Sequence, residues 1–168
     1  MYKILLIDDK LQVRISLASR LNNEFNEADE KSIEVYPCRN IYEAIDTWEE
    51  KAEELDALIV DMMMPSLGLD ENLRPKTKAG LLTGWFLLWN AFNPSNDSRH
   101  PASDKCVIIY SAYLDDYKTY ILNQASEAEK SFAKSENVTL IAKGASDSEG
   151  KLLECISRGM AEKEHFSS

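Results

Sequence analysis

Four short runs of the sequence are almost wholly apolar, and a polar side chain follows each of them. They cover Tyr2–Ile7, Ala57–Val60, Val107–Tyr110 and Val138–Ala142. A strand with one face in water alternates polar and apolar residues, whereas a strand buried on both faces is apolar nearly throughout. The runs therefore predict strands inside a parallel sheet. Ile33–Tyr36, β-branched and aromatic and closed off by Pro37, is a weaker fifth candidate.

Segments with helical spacing separate these strands. After the first strand, Val13, Leu17 and Leu21 recur at every fourth position, which places them on one face of a helix. Further helices are predicted over Tyr42–Glu54, Leu81–Phe92 and Leu114–Lys134, with a final helix on the stripe Leu152, Leu153, Ile156 and Met160. Five strands alternating with five helices predict an α/β fold, in which a doubly wound parallel five-stranded sheet carries helices on both faces.

The length suits one domain. A chain of 168 residues falls within the usual range for a single domain, so we expect one domain spanning residues 1–168. Two stretches exceed a minimal (βα)5 unit, near residues 66–79 and 93–105, where Pro, polar and charged residues cluster. We interpret both as insertions, and loops of this length in a compact domain are often functional.

The charge balance narrows the choice of partners. Lys and Arg number 19 against 29 Asp and Glu, which gives a formal net charge of -10. Nucleic-acid phosphates and anionic membranes both attract clustered cations, so we expect no direct nucleic-acid partner and no membrane partner. The amino-terminal segment turns acidic at Asp8 and Asp9 after only a short apolar run, unlike a secretory signal. Three scattered cysteines without metal-site spacing suit a reducing compartment. We therefore expect a cytoplasmic protein.

Specific polar residues follow four of the predicted strands. Asp8 and Asp9 follow the first, Asp61 the third, Ser111 the fourth and Lys143 the fifth. Singly, each has an ordinary explanation as a helix cap, a turn residue or a solvated side chain. Because the carboxyl ends of parallel strands share one edge of the sheet, where ligands bind, the set together predicts a single pocket.

The chemistry of such a pocket follows from its charges. Neighbouring carboxylates raise one another's pKa values unless a cation lies among them, and an oxygen-only site suits Mg²⁺. The metal and Lys143 would neutralise the oxygens of a phosphoryl group, and Ser111 could donate a hydrogen bond to one of them. Asp61, at the centre, is then placed to attack phosphorus and form an acyl phosphate.

These residues resemble the receiver domain of two-component response regulators. The resemblance runs along essentially the whole chain, through the motifs MYKILLIDD, LIVDMMMP, VIIYSA and LIAKG. It implies a flavodoxin-like fold with strand order 2-1-3-4-5. It also implies Mg²⁺-dependent transfer of a phosphoryl group from a phosphohistidine of a sensor histidine kinase or phosphotransfer protein. Such a domain is a signalling phosphoacceptor, not an enzyme that turns over substrate. Formation of a homodimer on phosphorylation is left as an alternative.

Site roles follow from the same resemblance. Asp61 is the phosphoacceptor, Lys143 binds the phosphoryl group, and Ser111 is the switch hydroxyl. The metal ligands are Asp8, Asp9, Asp61 and the backbone carbonyl of Met63. Two positions depart from the family pattern: Leu140 stands where an aromatic switch residue is usual, and Gly144 follows the lysine in place of proline.

Rival interpretations fit less well. A haloacid-dehalogenase-like phosphatase needs a second acid two residues after its nucleophile, and Lys10 stands there after Asp8. No glycine-rich phosphate loop ends in Lys-Ser or Lys-Thr, which argues against a P-loop enzyme. His100 and His165 are isolated, and we expect both at the surface. A receiver-like interaction module that is never phosphorylated remains the alternative. The sequence also leaves open whether the chain is a stand-alone receiver or part of a longer chain.

Overall fold

Five parallel strands form one sheet in a computed structural model that describes residues 1–26, 32–93 and 100–167. The strands are β1 (Tyr2–Ile7), β2 (Ile33–Cys38), β3 (Ala57–Val60), β4 (Cys106–Ser111) and β5 (Val138–Ala142). Their order across the sheet is β2-β1-β3-β4-β5, and every neighbouring pair is parallel. The predicted fold and strand order are thus confirmed.

Helices cover both faces of the sheet. They are α1 (Leu11–Asn26), α2 (Ile41–Lys51), α3 (Thr83–Phe86, continued by a π-helical turn at Leu87–Ala91), α4 (Leu114–Asn123), α5 (Glu127–Ala133) and α6 (Ser148–Ser167). Side chains of α1 and α6 pack on one face, and those of α2 to α5 pack on the other. None of the helices within the described residues combines the length and apolar character needed to cross a bilayer.

Burial on both faces explains the apolar strands. Along β1, Leu5 and Ile7 join the core under α2 to α5, while Ile4 and Leu6 join the core under α1 and α6. All four side chains are at most 1% exposed. Removing an apolar side chain from water stabilises the fold by about 1.5–3 kcal/mol, so both faces of these strands favour this arrangement.

The single helix predicted over Leu114–Lys134 is wrong, because the segment forms α4 and α5. Ser126 begins a new helix with a capping box. Its hydroxyl accepts the Glu129 N–H at 3.2 Å, and the Glu129 carboxylate accepts the Ser126 N–H at 2.8 Å. Each bond satisfies a backbone N–H at the start of α5, which favours a new helix beginning at this point.

Residues 66–79, which we predicted to be an insertion, form a packed loop closed at its base. The Met64 N–H donates to the Gly80 carbonyl at 3.2 Å, which brings the two ends together. Inside the loop, the side chain of Leu69 is buried in the core, and a short 3-10 turn spans Arg74–Thr77. The loop ends in left-handed backbone, with φ of 51° at Lys78 followed by 56° at Ala79.

The second predicted insertion, residues 93–105, falls partly outside the described residues, which omit 94–99. At its far side the expectation of a surface His100 is wrong, because that ring is only 2% exposed. His100 Nε2 donates to the Leu88 carbonyl at 2.8 Å, and Nδ1 accepts the Ala102 N–H at 3.0 Å. The ring also stacks on Phe132, with centroids 4.2 Å apart. Both ring nitrogens therefore find partners in the interior. His165 is exposed, as predicted.

Candidate functional site

The polar residues that follow the strands meet at the carboxyl edge of the sheet. Asp8, Asp9 and Asp61 each offer a carboxylate oxygen within 4.8 Å of the others. Lys143 reaches them from the end of β5, with its Nζ 2.5 Å from Asp8 Oδ2 and 2.6 Å from Asp61 Oδ2. Ser111 is fully buried at the end of β4, and its carbonyl accepts the Lys143 N–H at 3.1 Å. The structure thus brings together the side chains that the sequence placed at one edge.

Asp8 is held from three directions. Its Oδ1 accepts the Lys10 N–H at 2.9 Å, while its Oδ2 accepts from Lys143. Its backbone carbonyl accepts from Arg14 Nη1 at 2.6 Å. Arg14 was not predicted as a site residue, because a side chain that reaches back from α1 to a backbone carbonyl leaves no pattern in the sequence. Together these bonds fix the peptide that carries the two neighbouring carboxylates.

Asp61 is buried, with only 3% of its surface exposed, and both of its oxygens are engaged. Oδ1 accepts the Met63 N–H at 3.2 Å, and Oδ2 accepts from Lys143. The start of α3 presses against its backbone: the Gly84 N–H donates to the Met62 carbonyl at 3.0 Å. A Cβ on Gly84 would lie 1.9 Å from the Asp61 carbonyl oxygen, so only glycine fits there.

Asp9 forms no ion pair within the residues that the structure describes. Its Oδ1 is buried, and within the described part of the chain it has no hydrogen-bond partner. Burial raises the pKa of Asp9, the carboxylates of Asp8 and Asp61 add to that rise, and Lys10 opposes it. Three carboxylates facing one ammonium leave about two negative charges, and their donor atoms are all oxygens. A divalent cation that prefers oxygen, such as Mg²⁺, fits this set.

The flanks of the site hold the remaining predicted residues. Ser111 Oγ accepts the Tyr113 N–H at 3.3 Å, and the Tyr113 side chain is 38% exposed. Leu140 packs against the core under α2 to α5, so its position is filled by an aliphatic core side chain. Gly144 has a φ of 82°, and no cis peptide bond occurs in the described residues. The left-handed backbone after Lys143 is a conformation that glycine adopts easily.

Comparison with known proteins places the fold. No protein-family model and no curated protein matches the chain. Among solved structures, it is similar to a response regulator receiver domain protein from Clostridium thermocellum, with a TM-score of 0.62 and 20% identity over 99% of each chain. It is also similar to a two-component transcriptional regulator, AraC, from Clostridium phytofermentans, with a TM-score of 0.54 and 15% identity over the full length of both chains.

These likenesses bear on the fold. The chain has the fold of response regulator receiver domains, which confirms what its motifs predicted. The acidic trio lies at the carboxyl edge of that fold's sheet.

Proposed function

We propose that this chain is a phosphoacceptor receiver domain of a two-component system, in which Asp61 accepts a phosphoryl group from a phosphohistidine. The proposal rests chiefly on one observation: the buried Asp61 carboxylate lies among two further carboxylates and 2.6 Å from the Lys143 ammonium. In the transfer, an Asp61 oxygen forms a bond to phosphorus while the bond from phosphorus to the imidazole nitrogen breaks. The nitrogen keeps the electron pair, so the charges balance.

The side chains around Asp61 divide the work. Lys143 already contacts the acceptor oxygen and would neutralise the incoming phosphoryl oxygens, while Ser111 would donate its hydroxyl to one of them. Asp8, Asp9 and Asp61, with the Met63 carbonyl, would hold Mg²⁺. When bound, the metal supplies positive charge that stabilises the phosphoryl oxygens during transfer.

The donor would be a histidine kinase or a phosphotransfer protein. Its helix would dock beside the site on α1, whose outer face exposes Gln12, Ser16 and Ser19. The acyl phosphate would then switch a protein–protein contact, as in a cytoplasmic signalling module that turns over no substrate of its own. We take the whole chain as one such domain, with the loop at residues 66–79 as an insertion beside its acceptor.

Small-molecule phosphorylation tests the proposal without a known kinase. Incubation with acetyl phosphate and Mg²⁺ should add one hydroxylamine-labile phosphoryl group by intact-mass measurement, and chelation of the metal should prevent it. Asp61→Asn should abolish the modification, and Asp9→Asn should slow it by weakening metal binding.

Asp104→Asn is the matched control, since Asp104 is exposed and precedes β4 at the opposite edge of the sheet. This variant should be phosphorylated like the wild type. Equal phosphorylation of Asp61→Asn and the wild type would contradict the assignment of the acceptor. A wild type that gains no phosphoryl group would favour the alternative of a receiver-like interaction module.

A further inference from the structure

A buried carboxylate joins three helices beneath the sheet. Glu129 on α5 is 7% exposed, and both of its oxygens are engaged. Oε1 accepts from Trp85 Nε1 on α3 at 3.1 Å and from the Tyr120 hydroxyl on α4 at 3.0 Å. Oε2 accepts from the Ser126 N–H and hydroxyl at 2.8 and 2.9 Å. Burial of a carboxylate is costly without such donors, so each contact contributes to the position of these helices.

A second tyrosine on α4 lies beside this carboxylate without using it. Tyr117 is 2% exposed, and its hydroxyl has no hydrogen-bond partner among the residues that the structure describes. Its ring centroid lies 5.1 Å from that of Trp85. The Glu129 carboxylate is close enough to add to the rise that burial causes in the pKa of Tyr117. The phenol is therefore a protonated donor beside an acceptor that Tyr120 now occupies. A buried hydroxyl without a partner is costly and calls for an explanation.

The two ends of this cluster connect differently to the phosphoryl site. Trp85 follows Gly84, which is fixed against the Asp61 backbone, so α3 has little freedom. The start of α4 is held more lightly, because Tyr113 at its N-cap provides no side-chain cap. Its N–H donates instead to Ser111 Oγ. If the Ser111 hydroxyl turned toward a phosphoryl group, that bond would weaken and release the start of α4.

A modest movement of α4 would exchange the two phenols. Tyr117 and Tyr120 are three residues apart on one face of the helix, separated by about 4.5 Å along its axis. Both rings already pack on α3, Tyr117 on Trp85 and Tyr120 on Phe86. Helix shifts of an ångström or two occur in switching transitions, and we take a shift of this kind as the movement that brings the Tyr117 hydroxyl to Glu129.

We propose that Glu129 is the acceptor of a two-position hydrogen-bond switch. Tyr120 donates to it in the unmodified protein, and Tyr117 replaces Tyr120 when Asp61 carries a phosphoryl group. The inference rests on the proposed function, since it needs an occupied acceptor site. It couples the occupancy of the Asp61 site to one exchange of hydrogen bonds at Glu129. It predicts that Tyr117 and Tyr120 change the affinity of that site in opposite directions.

Because the switch and the Asp61 site are coupled, a change in the switch should alter the affinity of that site for a phosphoryl mimic. Beryllofluoride with Mg²⁺ mimics an aspartyl phosphate without covalent chemistry, and its affinity can be titrated on the whole chain. Tyr117→Phe should weaken its binding about tenfold, because the bond that favours the occupied form is lost. Tyr120→Phe should tighten it by a similar factor, because the bond that opposes that form is lost. Tyr2→Phe, a buried tyrosine on β1, is the control and should leave the affinity unchanged.

The outcomes separate the two proposals. If the beryllofluoride affinity changed in the same direction in Tyr117→Phe and Tyr120→Phe, or changed in neither variant, the switch would be overturned and the proposed function would stand. A wild type that binds no beryllofluoride would overturn the proposed function, and the switch with it. If Tyr120→Phe failed to fold, the indole N–H resonance of Trp85 would decide. On addition of beryllofluoride it should shift in the wild type and stay in place in Tyr117→Phe, and an equal shift in both would refute the switch.

Discussion

Replacement of Gly84 by alanine should damage both the stability and the chemistry of this protein. The new Cβ would lie 1.9 Å from the Asp61 carbonyl oxygen, 2.8 Å from the carbonyl carbon and 3.0 Å from Val60 Cγ1. Two of these contacts are with backbone, which has no alternative rotamer. The start of α3 would have to move away by more than an ångström. That movement would break the bond from the Gly84 N–H to the Met62 carbonyl.

The size of the effect follows from two contributions. Overpacking of a tight interior usually costs about 1–3 kcal/mol, and the lost hydrogen bond adds about 1 kcal/mol. We therefore expect the free energy of unfolding to fall by about 3 kcal/mol. For a chain of this length that corresponds to a decrease in Tm of about 6–12 °C. Phosphorylation by acetyl phosphate should also slow, because the Asp61 backbone is displaced.

Urea unfolding followed by circular dichroism measures the stability, with Gly150→Ala as the matched control. Gly150 lies in α6, and nothing is within 4 Å of the position that its Cβ would take. There alanine should stabilise the helix by about 0.5–1 kcal/mol. A Gly84→Ala variant within 0.5 kcal/mol of the wild type would show that α3 is not pressed against Asp61 as described.

Three further predictions concern other parts of the chain. Burial lowers the pKa of His100, so the unfolded chain binds a proton more readily than the folded chain does. The contribution of His100 to stability should therefore be fully present above pH 6.5 and be lost as the pH falls below it. His100→Gln should flatten this pH profile in urea titrations. Ala79→Gly should raise the free energy of unfolding by about 1 kcal/mol, since it relieves a left-handed alanine, and no gain would argue against that strain. Met63 follows the acceptor Asp61 by two residues, so a polar side chain at that position could orient water, and Met63→Asn should speed loss of the aspartyl phosphate about tenfold. A slower decay by intact mass would contradict this.

The strands were predictable because burial on both faces leaves its own record in the sequence. The limits of β2 were not, since Pro37 was expected to end it. The strand continues to Cys38, and this is possible because β2 lies at the edge of the sheet, where a missing N–H does no harm. The break between α4 and α5 was in principle readable, because Ser126 and Glu129 have the spacing of a capping box. The long apolar and mixed pattern around them concealed it.

The candidate site was predictable to the extent that it lies at strand ends. Asp8, Asp9, Asp61 and Lys143 come together because parallel strands end at one edge, which is a property of topology. Contacts that depend on how helices pack were not accessible in the same way. The bond from Arg14 to the Asp8 carbonyl and the buried position of His100 both arise from side-chain packing and leave no periodicity in the sequence.

The hydrogen bond between Met64 and Gly80 closes the loop at residues 66–79 into a ring, and the buried Leu69 side chain anchors that ring to the core. The entropy of closing such a ring grows only with the logarithm of its length, so doubling it costs about 0.6 kcal/mol. Asp70 and Glu71, which follow Leu69, are exposed. Descendants of this chain could therefore lengthen, shorten or recharge the exposed part of the loop while the Met64–Gly80 hydrogen bond and the Leu69 anchor stay in place. New partner contacts can evolve there at little risk to the chemistry a few residues away.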